Sequence, residues 1–240
     1  ILPDNFCQDI RWGTISMVQA TLNLISFALS KNFSFDYFWL CSGQDFPIKS
    51  VKNIINFLEK KTDNFINLFN SKNSSNKYSN YDKRNSLYYP AWTMGNSLCK
   101  RIFKRIYIEI TGGYNKTCFL NRKNNTKLNF YFGSQWWCLN NKTIKWMMTY
   151  YKEHTEYYEF YRNCVVPDES FFHTLVLNSP FAKDRENYLH YIDWSNSGNS
   201  PKTLTIKDFD KIVASPFLMA RKLDYNVDKI LFKIIINRML

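Results

Sequence analysis

Apolar residues recur at helical spacing near the start of the chain. Ile15, Val18, Leu22, Ile25 and Leu29 share one face between Thr14 and Leu29, which predicts an amphipathic helix. Phe35 to Cys41 is a continuous apolar and aromatic run of strand length, stopped by Ser42-Gly43. Ser50 then caps a second helix with Val51, Ile54, Ile55 and Leu58 on one face, and Phe65 to Phe69 reads as another strand. Helix, buried strand, helix, strand is the order of an α/β unit, with a mostly parallel sheet flanked by helices.

The rest of the chain continues the pattern. Residues 71–86 are polar and low in complexity and predict a long surface loop. Cys99 to Ile110 reads as a basic amphipathic helix, and Phe130 to Leu139 is aromatic but broken at Gly133-Ser134. Asn141 caps a helix through Trp146, Met147 and Tyr150, and Pro167-Asp168 opens one carrying Phe172, Leu175 and Val176. Tyr188 to Trp194 reads as a strand, Thr205 caps a further helix, and the last runs from Asp224 onward. With no internal repeat and no linker, residues 1–240 read as one domain, large enough to bury a core.

Composition narrows the partners. Apolar residues make up 45% and aromatics 18%, which excludes a disordered chain. A formal charge of +12 favours an anionic partner, and nucleic acid, an anionic membrane or a nucleotide-sugar diphosphate all satisfy it. The six cysteines never form a CxxC pair or approach a histidine at ligand spacing, which argues against zinc. They read as reduced thiols of a cytoplasmic protein. The sequence shows no stretch of bilayer-spanning length and no leader-like segment.

Four segments concentrate reactive groups. Ser42 to Lys49 follows a buried strand, where open α/β sheets bind ligands, and Asp45 there suits a ribose or sugar hydroxyl or an ordinary turn. In Pro167-Asp168-Glu169, Glu169 suits a general base kept ionised by a helix start; acidic residues at helix starts also simply stabilise the helix. Lys202, Arg221 and Lys222 suit the charge on a leaving diphosphate, or a solvated surface. Trp136-Trp137 beside Gly133-Ser134 suits a carbohydrate platform or core packing. The one Asp-x-Asp string, Asp208-Phe209-Asp210, falls in the first turns of a predicted helix and is set aside as a metal site. His154, His173 and His190 are far apart and suggest no metal site either.

Five strings in register resemble the core-2/I-branching β-1,6-N-acetylglucosaminyltransferase family, which includes peptide O-xylosyltransferases. They are Arg11-Trp12-Gly13 with Ser16, Asp36-Tyr37-Phe38 to Ser50, Gly133-Ser134-Gln135-Trp136-Trp137, Pro167-Asp168-Glu169, and Ala220-Arg221-Lys222 ending at Asp224. The resemblance implies a variant GT-A (Rossmann-like) fold and inverting, metal-free transfer from a UDP-sugar, most often UDP-N-acetylglucosamine. By position it makes Glu169 the catalytic base, with Lys222 at the diphosphate and Asp45 near the nucleotide; Lys202 is the candidate for a second, upstream cation, and Arg221 is grouped with the diphosphate-binding residues by its charge. Trp136, Trp137 and Asp168 would line the sugar or acceptor. Family members carry a strand and helix ahead of the Arg-Trp-Gly segment, and the sequence begins after that point.

The UDP-sugar enters as a co-substrate, so no cofactor and no metal is expected. The acceptor would be a glycan or a lipid-linked glycan. The Lys100–Arg105 helix suits peripheral contact with anionic lipid at the inner membrane face, or plain solvation. A basic polyanion-binding protein is the rival from another class, but no nucleic-acid motif is present and nucleic acid is not expected. A catalytically dead sugar-binding module of the same fold is the third reading.

Overall fold

Thr14, extended at φ −115° and ψ 170°, accepts the Ser16 amide on its side chain and starts α1 (Ile15–Ser30) in the computed structural model. Residues 3–31, 34–69, 81–95, 97–111, 124–195 and 200–239 are described. After α1 come β1 (Tyr37–Trp39) and β2 (Asp45–Pro47). The Ser50 side chain accepts the Asn53 amide to start α2 (Val51–Leu58), and β3 (Asn64–Phe65) follows. Next are α3 (Tyr81–Ser86), α4 (Leu98–Ile110) and β4 (Cys138–Asn140). Then α5 (Asn141–Glu153), α6 (Thr155–Tyr161), a 3-10 turn at Pro167–Glu169 and α7 (Phe171–Asn178) lead to β5 (Arg185–Glu186) and β6 (His190–Ile192). A capping box between Thr205 and Asp208 precedes α8 (Phe209–Ala214), and β7 (Met219–Arg221) and α9 (Lys229–Met239) complete the order.

Several boundaries differ from the sequence pattern, each for a local reason. The run from Phe35 to Cys41 yields only three strand residues, all half-buried. The carbonyls of Phe35 and Asp36 instead accept from the Asn141 side chain (2.5 Å) and amide (2.8 Å). Asn141 is therefore inside α5, and Asn140 is the cap, accepting the Thr143 amide at 2.8 Å. The strand predicted to Phe69 ends at Phe65, and the Phe69 amide goes to the Phe132 carbonyl. The strand predicted over Tyr188 to Trp194 is confined to His190–Ile192. Asp228, not Asp224, opens the last helix, accepting the Leu231 amide at 2.9 Å. Of the predicted loop at 71–86, the last six residues are helical, and residues 71–80 lie outside those described.

The α/β class stands, but both sheets are mixed where a mostly parallel one was expected. One has the order β1-β4-β3-β5, with β3 antiparallel to β4 and parallel to β5. The other has the order β2-β7-β6, with β2 antiparallel to β7 and β6 parallel to it. Alternating helices and strands set the class, but not the direction from which a distant strand returns.

The chain divides into two compact units, each built from separated segments. Unit 1 comprises Ile1–Phe38, Leu68–Gln135 and Asn140–Lys183. Its core packs Val18, Leu22 and Ile25 of α1, Ile144 and Met147 of α5, and an aromatic group in which Tyr157 and Tyr161 stand 4.8 and 5.2 Å from Phe171. Unit 2 comprises Trp39–Asn67, Trp136–Leu139 and Asp184–Leu240. Its core joins Ile48, Leu204, Ile212, Ala220, Leu223, Leu231 and Ile235. Among the described residues no helix is long and apolar enough to cross a membrane.

Candidate active site

In unit 1 three of the five family-like strings come together. Gly13 takes φ +73°, a conformation that favours glycine, and its carbonyl accepts the Val166 amide at 3.0 Å. The Gly133 amide donates to the Glu169 carbonyl at 2.9 Å. The turn Pro167–Glu169 is closed by Ser170 N–H donating to the Pro167 carbonyl at 3.0 Å, so it is a 3-10 turn and not the first turn of an α-helix. α3 supplies the electrostatic partner: Arg84 Nη1 stands 2.5 Å from Glu169 Oε2. Asn85, the next residue, anchors α3 by donating to Ser170 Oγ at 2.9 Å.

This environment changes the account of Glu169. A helix start was expected to keep the carboxylate ionised. Burial instead raises its pKa, and the charge and hydrogen bond of Arg84 oppose that rise. Although 28% of the side chain is exposed, burial of the carboxyl is the larger effect. Glu169 is thus half-buried, held by a charge-assisted hydrogen bond, with its basicity set by two opposing influences. Arg84 escaped sequence reasoning because a lone Arg in a polar low-complexity segment carries no positional signal.

Asp168 does not cap a helix and is not available to an acceptor. It is 3% exposed, and its Oδ1 has no hydrogen-bond partner among the described residues. Burial first, then the charge of Glu169, pushes its pKa up to about 7. A carboxyl raised in this way keeps its proton when folded and loses it when unfolded across roughly pH 4–7. Stability contributed at low pH is therefore lost as pH rises through that window. Asp168→Asn removes the titration. Relative to the parent, its melting temperature should improve from pH 5 to pH 8, a window that holds about two of the roughly three pH units by which the Asp168 pKa is raised and so corresponds to at most about 3 kcal/mol. Thermal unfolding at both pH values checks this, and a constant difference between the two proteins would show that Asp168 does not titrate there.

Unit 2 gathers the candidate donor residues. The antiparallel register sets Asp45 of β2 opposite Arg221 of β7. Arg221 Nη1 donates to Asp45 Oδ1 at 2.9 Å and to Ser42 Oγ at 2.5 Å, while the Ser42 amide donates to Asp45 Oδ2. The guanidinium also lies 4.1 Å from the ring centre of Trp136, a cation–π contact. The Asp45 side chain is fully buried, so it orients Arg221 and the turn and presents nothing to a ribose. Trp137 is fully buried as well, leaving no ring face for a sugar, and Trp136 is half-buried beneath Arg221. The paired-tryptophan platform is therefore one ring already stacked with a cation.

The two lysines differ. Lys202 Nζ is 2.5 Å from Asp208 Oδ1 and 3.9 Å from Asp193, so it is engaged with carboxylates. Asp208 is in turn occupied by that contact and by the Thr205 cap. Lys222 is half-buried and makes no side-chain hydrogen bond or ion pair among the described residues, while its carbonyl accepts the Leu204 amide at 2.8 Å. It is the cation left available for an anionic group.

Cys41, Asp45 and His190 bring a sulfur, a carboxylate oxygen and a ring nitrogen within 4.8 Å of one another. His190 is fully buried, edge-on to Trp39 at 5.7 Å, and burial lowers its pKa to about 4 despite Asp45 nearby. Partial burial, followed by the Asp45 charge, pushes the Cys41 thiol up to about 12, although the residue as a whole is exposed.

Residues 7–213 match the profile of the Core-2/I-Branching enzyme family. The chain is 24% identical over 237 residues to a xylosyltransferase of Ciona intestinalis, covering 91% of this chain and 25% of the relative. It is 23% identical over 252 residues to xylosyltransferase 2 of Rattus norvegicus, covering 93% and 26%. Against xylosyltransferase 1 of Homo sapiens it is 23% identical over 245 residues, covering 91% and 22%. The chain thus spans about a quarter of the length of these curated relatives. With a mixed α/β architecture of the GT-A-like kind and the family profile matched over most of its length, the chain belongs to the Core-2/I-branching enzyme family of glycosyltransferases.

Proposed function

We propose that the chain transfers a sugar from a UDP-sugar to a hydroxyl of a glycan acceptor, with inversion and with no metal ion taking part in the transfer. One observation carries the reading: Glu169 is half-buried and held by Arg84, and it stands in a Pro-Asp-Glu string that resembles one of the family's. The Glu169 carboxylate takes the proton from the acceptor hydroxyl, whose oxygen bonds to the anomeric carbon. The bond from that carbon to the diphosphate oxygen breaks as this happens, and UDP leaves with the electron pair. Lys222 supplies fixed positive charge to the departing diphosphate, while Arg221 is steadied by Asp45 and Trp136. Lys202 acts through the Asp208 cap and does not face the diphosphate as a free charge.

N-acetylglucosamine is the sugar favoured by the family resemblance, and the relatives' name of xylosyltransferase supports xylose as the second candidate. α4 exposes Leu98, Ile102, Phe103, Ile106 and Ile110, with Arg101 and Arg105 exposed among them. That helix supports peripheral contact with anionic lipid, a lipid-linked acceptor and a position at the inner membrane face.

The test is UDP release from UDP-N-acetylglucosamine and UDP-xylose with a panel of hydroxyl acceptors, with and without excess EDTA. Acceptor-dependent release that survives the chelator is expected. Loss with EDTA, restored by manganese, would overturn the metal-free mechanism. No release from any donor would leave the sugar-binding module. Salt-sensitive DNA or RNA binding without UDP affinity would leave the polyanion reading.

A further inference from the structure

We propose that Cys41, Asp45 and His190 form a binding site for a thiophilic divalent cation of the zinc class. Thiolate, carboxylate and imidazole are each zinc ligands, and the mixed sulfur, oxygen and nitrogen set suits a borderline-soft ion. Their ligand atoms already lie within 4.8 Å of one another. Donors around a tetrahedral zinc stand about 3.3–3.6 Å apart, given metal–ligand bonds of about 2.0–2.3 Å. Closing the set takes about an ångström of side-chain movement, which the exposed Cys41 can supply.

His190 provides a second, independent observation. It is fully buried, and neither ring nitrogen has a hydrogen-bond partner among the described residues. Buried polar atoms left without partners are costly and uncommon, and a metal bond to one nitrogen would offset that cost. Two of the ligands also sit on regular structure, Asp45 at the start of β2 and His190 at the start of β6, while Cys41 lies outside it and is the ligand freest to adjust.

Binding displaces the thiol proton to solvent and forms a metal–sulfur bond, so the group gains one unit of positive charge. Arg221 lies beside it, yet each Asp45 oxygen has two lone pairs and can serve the guanidinium and the ion together. Three protein ligands leave the fourth position to water, which makes this an exchangeable site and not a closed structural one. Occupancy clamps the turn after β1 to β6. The spacing 41, 45 and 190 matches no sequence pattern for zinc, which explains why the cysteines and histidines suggested none.

The experiment reads the ion and not sugar transfer, so its outcome is separable from that of the function proposed above. The chain, stripped with EDTA and desalted, is titrated with Co2+ as a spectroscopic probe and with Zn2+ in competition with a chromophoric chelator. One equivalent should bind, with a thiolate-to-cobalt charge-transfer band. Cys41→Ser should abolish the band and weaken Zn2+ binding at least ~10-fold, while Cys7→Ser keeps both. His190→Gln should weaken binding similarly, with circular dichroism reporting whether that buried substitution folds. Absence of stoichiometric binding, or a cobalt band retained in Cys41→Ser, overturns the site. A band lost only with another cysteine overturns it too.

Discussion

Glu169→Gln should lower transfer by about 10²–10⁴-fold, the usual range for lost general-base catalysis, while donor binding persists. The substitution suits this site because a glutamine carbonyl can still accept from Arg84 Nη1, now 2.5 Å from Oε2. The backbone anchor is untouched, since Gly133 donates to the Glu169 carbonyl and not to its side chain. What disappears is the proton acceptor. A parent rate in the variant, with UDP binding unchanged, would make the assignment wrong even with the fold correct. Loss of UDP binding would move Glu169 to donor recognition or folding. The role of Arg84 predicts the direction of the pH dependence as well: burial raises the carboxyl's pKa and the guanidinium lowers it, so the rate of the parent should rise with pH as Glu169 ionises.

The second large effect belongs to Lys222. Among the described candidate cations, Arg221 is engaged with Asp45 and Lys202 with Asp208, whereas Lys222 makes no side-chain hydrogen bond or ion pair. Lys222→Ala should therefore cost about 10²–10³-fold in kcat/KM for the UDP-sugar, the range seen when one stabilising contact to developing charge is removed. Its melting temperature should stay near that of the parent, because no side-chain hydrogen bond or ion pair among the described residues is lost. Lys222→Arg should rescue only in part, since a planar fork does not place its charge where an ammonium does. Steady-state kinetics with varied donor decide the matter. Unchanged kinetics in the alanine variant would mean that Lys222 is merely solvated.

The legible and illegible parts of this protein separate on physical grounds. Helices α1, α2 and α4 were visible because apolar periodicity is a local signal: the Ser50 cap of α2 lies where the sequence put it, and α1 and α4 start within a residue of the predicted Thr14 and Cys99. Strand ends were poorly visible because a strand's partners are distant: Phe35 and Asp36 give their carbonyls to Asn141, over a hundred residues away. Glu169 was visible only through its string, and its partner Arg84 was not visible at all. Asp45 was singled out for a nucleotide, but a carboxylate beside a turn looks the same in sequence whether it faces solvent or an arginine 176 residues downstream. Trp137 illustrates the same limit, because adjacent tryptophans read alike although the second is fully buried.

The segmented construction of unit 2 has a consequence for how the protein is made. Asp45 to Pro47 pair with Met219 to Arg221, so β2 has no β7 to lie against until residue 221 has emerged from the ribosome. At about 5–20 residues per second, the 174 residues from Pro47 to Arg221 correspond to a wait of roughly 9–35 s. During that time the aromatic stretch around β1 and β2 is synthesised but lacks its native cover, and pairings of such high sequence separation form slowly even afterwards. Recombinant yield should therefore depend on translation speed and on chaperones that shield nascent apolar segments. Fragments ending before residue 219 should be captured by such chaperones or aggregate, whatever the intrinsic stability of unit 1.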